Sequence, residues 1–274
     1  MAADAVRALG PFWFNLLRQA FVTLLLALIL TATGGWHGMD APTAAILALS
    51  GIIGILLGDT FNFAAVARLG PRRAGAIFAL NAPMAAIMGW TFLNETLSLQ
   101  AGFGIAVTVG GVAMAILGRP RPDAHRFERL QGGLLVGVLF GLAAAGQAAG
   151  SLIARPVMAA GLDPWLASLL RVGASGFAMG VIAALPFSPA RPTPISRLTL
   201  GLTAATAIIG LLLGMTLFLY ALKGGETGII ATLSATSPVI ILPLMWLRTG
   251  QRPSVLSALG AVLAIAGLSL IFTR

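Results

Sequence analysis

Few residues in this chain are able to do chemistry. Of its 274 residues eight are acidic, seventeen are Lys or Arg, two are His and none is Cys. Most charges fall in short gaps between long apolar runs, but Asp59 stands in the middle of one, IIGILLGDTFNF. Asn62 follows one turn on, on the same helical face. A carboxyl there is a candidate proton carrier, or a holder for a substrate amine. Its plain alternative is an ion pair with Arg18, two turns into the first apolar run. Arg18 and Arg171 occupy matching places in the two halves of the chain. A guanidinium presents a planar fork of donors that suits a carboxylate. For both arginines the alternative is structural, a head that snorkels to the interface or bonds exposed carbonyls.

Asn81 precedes Ala82-Pro83, where proline removes a helical hydrogen bond and frees a carbonyl. Ser237-Pro238 repeats the device, which makes Pro83 and Pro238 candidate hinges, with a simple packing kink as the alternative. Gln147, within AAAGQAAG, joins Asn15, Trp90, Tyr220 and Trp246 as candidates for a cavity wall. Lipid-interface anchoring is the competing role for the aromatics. Gly133/Gly137/Gly141, Gly54/Gly58 and Gly210/Gly214 form small-residue stripes that read as close helix packing. His37 and His125 lie in polar gaps without ligand partners at suitable spacing, so no metal site is expected. No cofactor is expected either. HExxH, GxSxG and GxxxxGK[ST] motifs are absent, and a single mid-run acid offers no carboxylate pair. The reading is against an enzyme and against an ATP-driven motor.

These residues must be held by membrane helices. The chain is 58% hydrophobic and 9% charged, with a mean hydropathy of +0.97. A soluble domain carries roughly 25% charged residues. A spanning helix needs about 20 apolar residues. Cutting at the charged or proline-rich gaps predicts nine, at 12–33, 43–67, 74–93, 98–118, 132–154, 164–187, 198–222, 227–247 and 254–273. The runs are continuous, which excludes a membrane β-barrel. The fold class is an all-α polytopic membrane protein.

The chain repeats itself. PFWFNLLR from Pro11 matches PWLASLLR from Pro164 at a shift of 153 residues, and IIGILLGDT from Ile52 matches IIGLLLGMT from Ile208 at 156. Ala82-Pro83 parallels Ser237-Pro238, and the last span of each half carries a mid-span Gly. The expected division is a repeat at 1–118, a polar linker at 119–131 and a second repeat at 132–274. Four spans face five, and the counterpart of 132–154 falls before Met1. The expected parent plan is therefore ten spans, five plus five, with the first absent from this chain. An odd number of spans per repeat inverts one half relative to the other, as in many transporter bundles.

Residues Arg72 to Leu117 resemble the end of an EamA repeat of the drug/metabolite transporter (DMT) superfamily. In that pattern a small-residue helix carries a Pro and is followed by a Glu at the membrane edge, a turn and a Gly-rich last helix. Pro83, Glu95 and Gly110-Gly111 stand at those places. The Pro-x6-Arg openings at Pro11 and Pro164 resemble the start of the family's second helix in each half. The second repeat departs from the pattern with Gly250 in place of the edge glutamate.

The resemblance and the inverted repeat together imply a secondary transporter. It would export or exchange small metabolites, such as amino acids or amphiphilic compounds, by alternating access. Protons are a candidate coupling ion through Asp59. A non-transporting membrane scaffold or receptor is the alternative, and a membrane-embedded enzyme a weaker one. Partners expected are membrane lipids and a small-molecule substrate. No nucleic acid is expected, and a homodimer is compatible but not required. One Lys against sixteen Arg, with abundant Ala and Gly, points to a GC-rich bacterial genome and so to a bacterial cytoplasmic membrane. Nine spans place twelve basic residues on the N-terminal side and three on the other. The positive-inside rule then puts the N-terminus in the cytoplasm and the C-terminus outside. The family resemblance implies both ends in the cytoplasm, so orientation stays open at this point.

Overall fold

The computed structural model describes residues 2–93, 98–117, 133–186, 188–189, 195–224, 244, 246–247, 250 and 254–272. The expectations for Glu95, the 119–131 linker, His125 and Pro238 lie outside the described residues. Regular structure among the described residues is helical: α1 Ala2–Thr33, α2 Ala41–Leu69, α3 Pro71–Phe92, α4 Leu99–Leu117, α5 Leu134–Ala159, α6 Pro164–Ala184, α7 Arg197–Lys223 and α8 Val255–Phe272. Six of them, α1, α2, α3, α5, α6 and α7, are long and apolar enough to cross a membrane, and α4 and α8 contain shorter apolar helices. Eight of the predicted spans fall on these elements. The ninth, 227–247, lies almost wholly outside the described residues.

Two boundaries differ from expectation for local reasons. α1 starts at Ala2 rather than near 12, because AADAVRAL forms two turns that bury Ala5, Val6 and Leu9. Gly10, at φ 77°, then kinks the chain into Pro11. Glycine enters that region without a Cβ penalty, and proline is pre-shaped for a first helical turn. α6 stops at Ala184, with Leu185 extended ahead of Pro186. Proline disfavours helical geometry in the residue before it.

Short polar side chains close the helix starts, where backbone N–H groups have no helical partner. Asp163 accepts from Trp165 N–H at 2.9 Å and Leu166 N–H at 3.1 Å, and Ser196 accepts from Thr199 N–H at 3.1 Å. At α2, Asp40 accepts from Thr43 N–H at 2.8 Å. Thr43, through its side chain and its backbone, holds the Asp40 carboxyl below the usual carboxylate range. That cap therefore persists as pH falls, until the lowered value is crossed.

The helices form two compact units, and each takes residues from both sequence halves: 1–63 with 149–225, and 64–148 with 226–274. In the first unit α1 packs on the repeat-equivalent α6. Val22, Leu26 and Leu30 meet Leu166, Leu169 and Val172, with Ile55 of α2 and Leu211 of α7 closing the core. Gly51 brings the α2 backbone onto α6, since a Cβ there would lie 2.1 Å from the Arg171 carbonyl oxygen. Gly150 of α5 meets Gly54 of α2 in the same way, a Cβ falling 2.6 Å from the Gly54 Cα.

In the second unit α4 packs along α8, again a repeat-equivalent pair. A Cβ on Gly111 would lie 2.4 Å from Ala264 N, and one on Gly260 would lie 2.5 Å from Gly111 O. Gly137 and Gly141 of α5 press on Leu69 and Ile77, so that stripe is used for packing. Helices in lipid associate by such close approach, without a hydrophobic force to drive them. Arg72 bonds Ser257 Oγ, tying the start of α3 to α8.

The adjacent glycines 110 and 111 make a direct test. A Cβ on Gly110 meets nothing within 4 Å, whereas one on Gly111 enters the α8 backbone. Gly111→Ala should cost about 1–3 kcal/mol, while Gly110→Ala should be neutral or slightly stabilising. Thermal unfolding of the two variants in detergent reads the difference, and equal melting temperatures would contradict this packing.

Candidate functional site

In the first unit, α2 and α7 each widen into π-helix at matching places. The segments are Ile52–Asp59 and Ala207–Gly214, within one residue of the repeat shift. Each runs eight residues, longer than the single-turn bulges usual in helices, and such segments concentrate at functional sites. The residue bracketing the first one is Asn15 of α1. Its Nδ2 donates to the Ile55 carbonyl at 3.2 Å and to Thr60 Oγ1 at 2.9 Å. Ile55 and Thr60 are five residues apart, the span of one π turn, so the amide staples that turn from outside. The second half carries the reduced version, with Ser168 Oγ 3.0 Å from Thr216 Oγ1. Asn15 corresponds to Ser168 and Thr60 to Thr216 in the two repeat blocks.

Asp59 ends the first π segment, and the equivalent position holds Met215. Its Oδ2 lies 3.7 Å from Arg18 Nη1, close enough for a charge pair but longer than a hydrogen bond. The side chains are 7% and 13% exposed for Arg18 and Asp59, so water screens the pair little. Phe63 and Phe14 meet edge to face at 4.8 Å, and the Arg18 guanidinium carbon stands 4.8 Å and 5.4 Å from their ring centres. Aromatic faces attract a guanidinium, so these rings hold the cation where Asp59 can reach it. Arg18 also faces the second π segment, with Nη2 3.5 Å from where a Gly210 Cβ would stand.

Arg171 differs from its counterpart. It is 1% exposed, against 6% for Arg18, although in both residues Nε and Nη1 have no hydrogen-bond partner among the described residues. Gln19, one residue after Arg18, donates from Nε2 to the Met179 sulfur at 3.2 Å and is fully buried. Thr23 and Gly176 pack beside it. A polar seam thus runs between α1 and α6 through an otherwise apolar core.

The EamA-like transporter family matches residues 1–117 and 135–273. The chain belongs to that family. One solved crystal structure is similar over 98% of this chain and 89% of its own, with a TM-score of 0.71 at 18% identity, and that likeness is one of fold. No curated protein matches the chain. Family and apolar helices together make this a multi-pass integral membrane transporter of the DMT type.

The remaining candidates in this EamA-family chain are dispersed. Asn62 is half-buried in the first unit, one turn after Asp59. Asn81 and Gln147 belong to the second unit, and each opens a helical piece just after a break. Ahead of Asn81 the break follows from Pro83, which has no N–H for the Ala79 carbonyl. Ala82 N–H approaches that oxygen instead, at 3.4 Å. Ahead of Gln147 the break falls at Gly146, whose N–H bonds back to Ala143 O. Trp90, Tyr220 and Trp246 are exposed on helix surfaces, at 52%, 67% and 44%. Sequence reading passed over Thr60, Thr216, Ser168, Gln19 and the Phe14–Phe63 pair. Thr60 and Thr216 were visible as identical final residues of the two matched blocks.

Because the clamp is duplicated, Thr60→Val and Thr216→Val should each lower stability by about 0.6–1 kcal/mol. Unfolding in detergent checks this, and a variant as stable as the parent would remove that half's clamp from the account.

Proposed function

We propose that this EamA-family protein is a secondary transporter for small metabolites such as amino acids or amphiphilic compounds. It exports or exchanges them by alternating access, with Asp59 as the protonatable coupling residue. The observation that carries this reading is the break in symmetry at one place. The two π segments and their threonines are duplicated, and the acid is present in only one copy. Parts that maintain a duplicated fold occur twice, whereas a coupling site serves a single transport path. A wide helical turn also lets the backbone change register at modest cost. Protonating Asp59 removes the charge that draws Arg18 toward it, so proton binding has a direct route to the geometry of both π segments. Pro83 serves as a secondary kink in this reading.

Flux in proteoliposomes tests it. Asp59→Asn should abolish uptake driven by a pH gradient and leave substrate counterflow intact. Gradient-driven uptake unchanged in that variant would overturn the coupling role. Folded protein with no flux for any metabolite tried would overturn the transporter mechanism itself.

A further inference from the structure

Among the described residues, the seam between α1 and α6 contains more positive charge than it balances. Arg18 and Arg171 are 6% and 1% exposed, and among the described residues the carboxylate that pairs with this arginine couple is Asp59, 3.7 Å from Arg18. Among these residues, two guanidinium groups against one carboxylate leave one net positive charge in a medium of low dielectric. An unbalanced ion costs much more there than at a surface. The donors are unsatisfied as well. Nε and Nη1 of both arginines make no hydrogen bond among the described residues, and neither does the Ser175 hydroxyl one turn beyond Arg171. Buried polar groups are satisfied in the great majority of proteins, and an exception points to an ion or water in place.

We propose that Arg171 and Arg18 form a binding site for one monovalent anion, either the carboxylate end of an organic solute or an inorganic halide. The repeat supports a ligand rather than a purely structural role for Arg171. Its equivalent, Arg18, has Asp59, two aromatic faces and the Gly210 turn as surroundings. Arg171 has the same chemistry without its own acid, since the second half carries Met215 in place of Asp59. A monoanion makes the group of three neutral. It also supplies acceptor lone pairs in the plane of a guanidinium fork, the geometry that arginine binds best. A dianion would overshoot neutrality. If the proposed transport function holds, this site names the substrate class as solutes carrying a single carboxylate. The anion site itself does not depend on that function.

The test uses the full chain in detergent. Thermal unfolding is followed by tryptophan fluorescence during titration with sodium chloride, sodium acetate or sodium sulfate at matched ionic strength. Chloride or acetate should raise the melting temperature saturably, and sulfate should not. A response to acetate alone assigns an organic carboxylate, and a response to chloride alone assigns a halide. Asp59→Asn, which removes the carboxylate paired with Arg18, should tighten the half-saturating concentration by about tenfold. Arg171→Gln should weaken it by a similar factor. Should Arg171→Gln fail to fold, the Asp59→Asn shift still decides. No saturable response to either monoanion, or identical half-saturation in the parent and Asp59→Asn, overturns the site. Saturable stabilisation without flux would retain the anion site and reject transport. Flux without any anion response would do the reverse.

Discussion

Hydrocarbon offers no water to a backbone carbonyl, so each one must find its donor within its own helix or from a neighbouring side chain. The rest of this structure follows from that constraint. It explains why the described elements are helices, and it singles out the places where the helix is not regular. At Ile55 the π turn is answered by the Asn15 amide. At Pro83 the missing N–H is answered, poorly, by Ala82. At Gly146 the chain tightens onto Ala143 and Gln147 opens the next piece. Irregular backbone and polar side chains occur together because each requires the other. A map of one is close to a map of the candidate site.

Duplication gives the same logic a second reading. The Asn15–Thr60 and Ser168–Thr216 bonds occupy equivalent places and tie the first helix of each repeat block to the far end of a π segment. Their recurrence marks them as parts of the scaffold. The Ser168 version uses a smaller side chain that reaches only the hydroxyl, whereas Asn15 also reaches the carbonyl. The stronger staple stands on the half that carries Asp59. A segment bearing a buried acid beside a cation is under more electrostatic load than one bearing Met215, and it is held at two points rather than one.

Much of the fold was legible in the sequence because apolar runs about 20 residues long have few alternatives in a membrane. The Asp59–Arg18 pair was also legible, since both residues break apolar runs at compatible depth. The π segments were not. IIGILLGD has the same composition whether its turns hold 3.6 residues or more, and the Asn15 amide that meets the widened turn comes from another helix. Likewise Arg18 and Arg171 are equivalent in sequence, and only packing shows that Arg18 stands over two aromatic rings beside Asp59 while Arg171 is sealed at 1% exposed. The start of α1 was missed because Asp4 and Arg7 interrupt its apolar pattern, although Ala5, Val6 and Leu9 still bury one face.

The glycines show how the two halves meet. Gly51 lies on the Arg171 carbonyl, Gly150 on Gly54, Gly137 on Leu69, Gly141 on Ile77, and Gly111 and Gly260 on each other. Each of these pairs joins a residue before the 119–131 gap to one after it. The hydrogen bonds around the π segments do the opposite, since Asn15 with Thr60 and Ser168 with Thr216 stay within one half. The π-segment bonds thus shape each half locally, whereas close approach at glycine, helped by bonds such as Arg72 to Ser257 and Gln19 to Met179, joins the halves. Helices in lipid form first and associate afterwards, so this division matches the order of events. A half can form its own π staple before the other has been inserted. The backbone contacts that complete the compact units must wait for both. Glycine suits that later step, because it leaves the helix surface flat enough to accept a partner that arrives already folded.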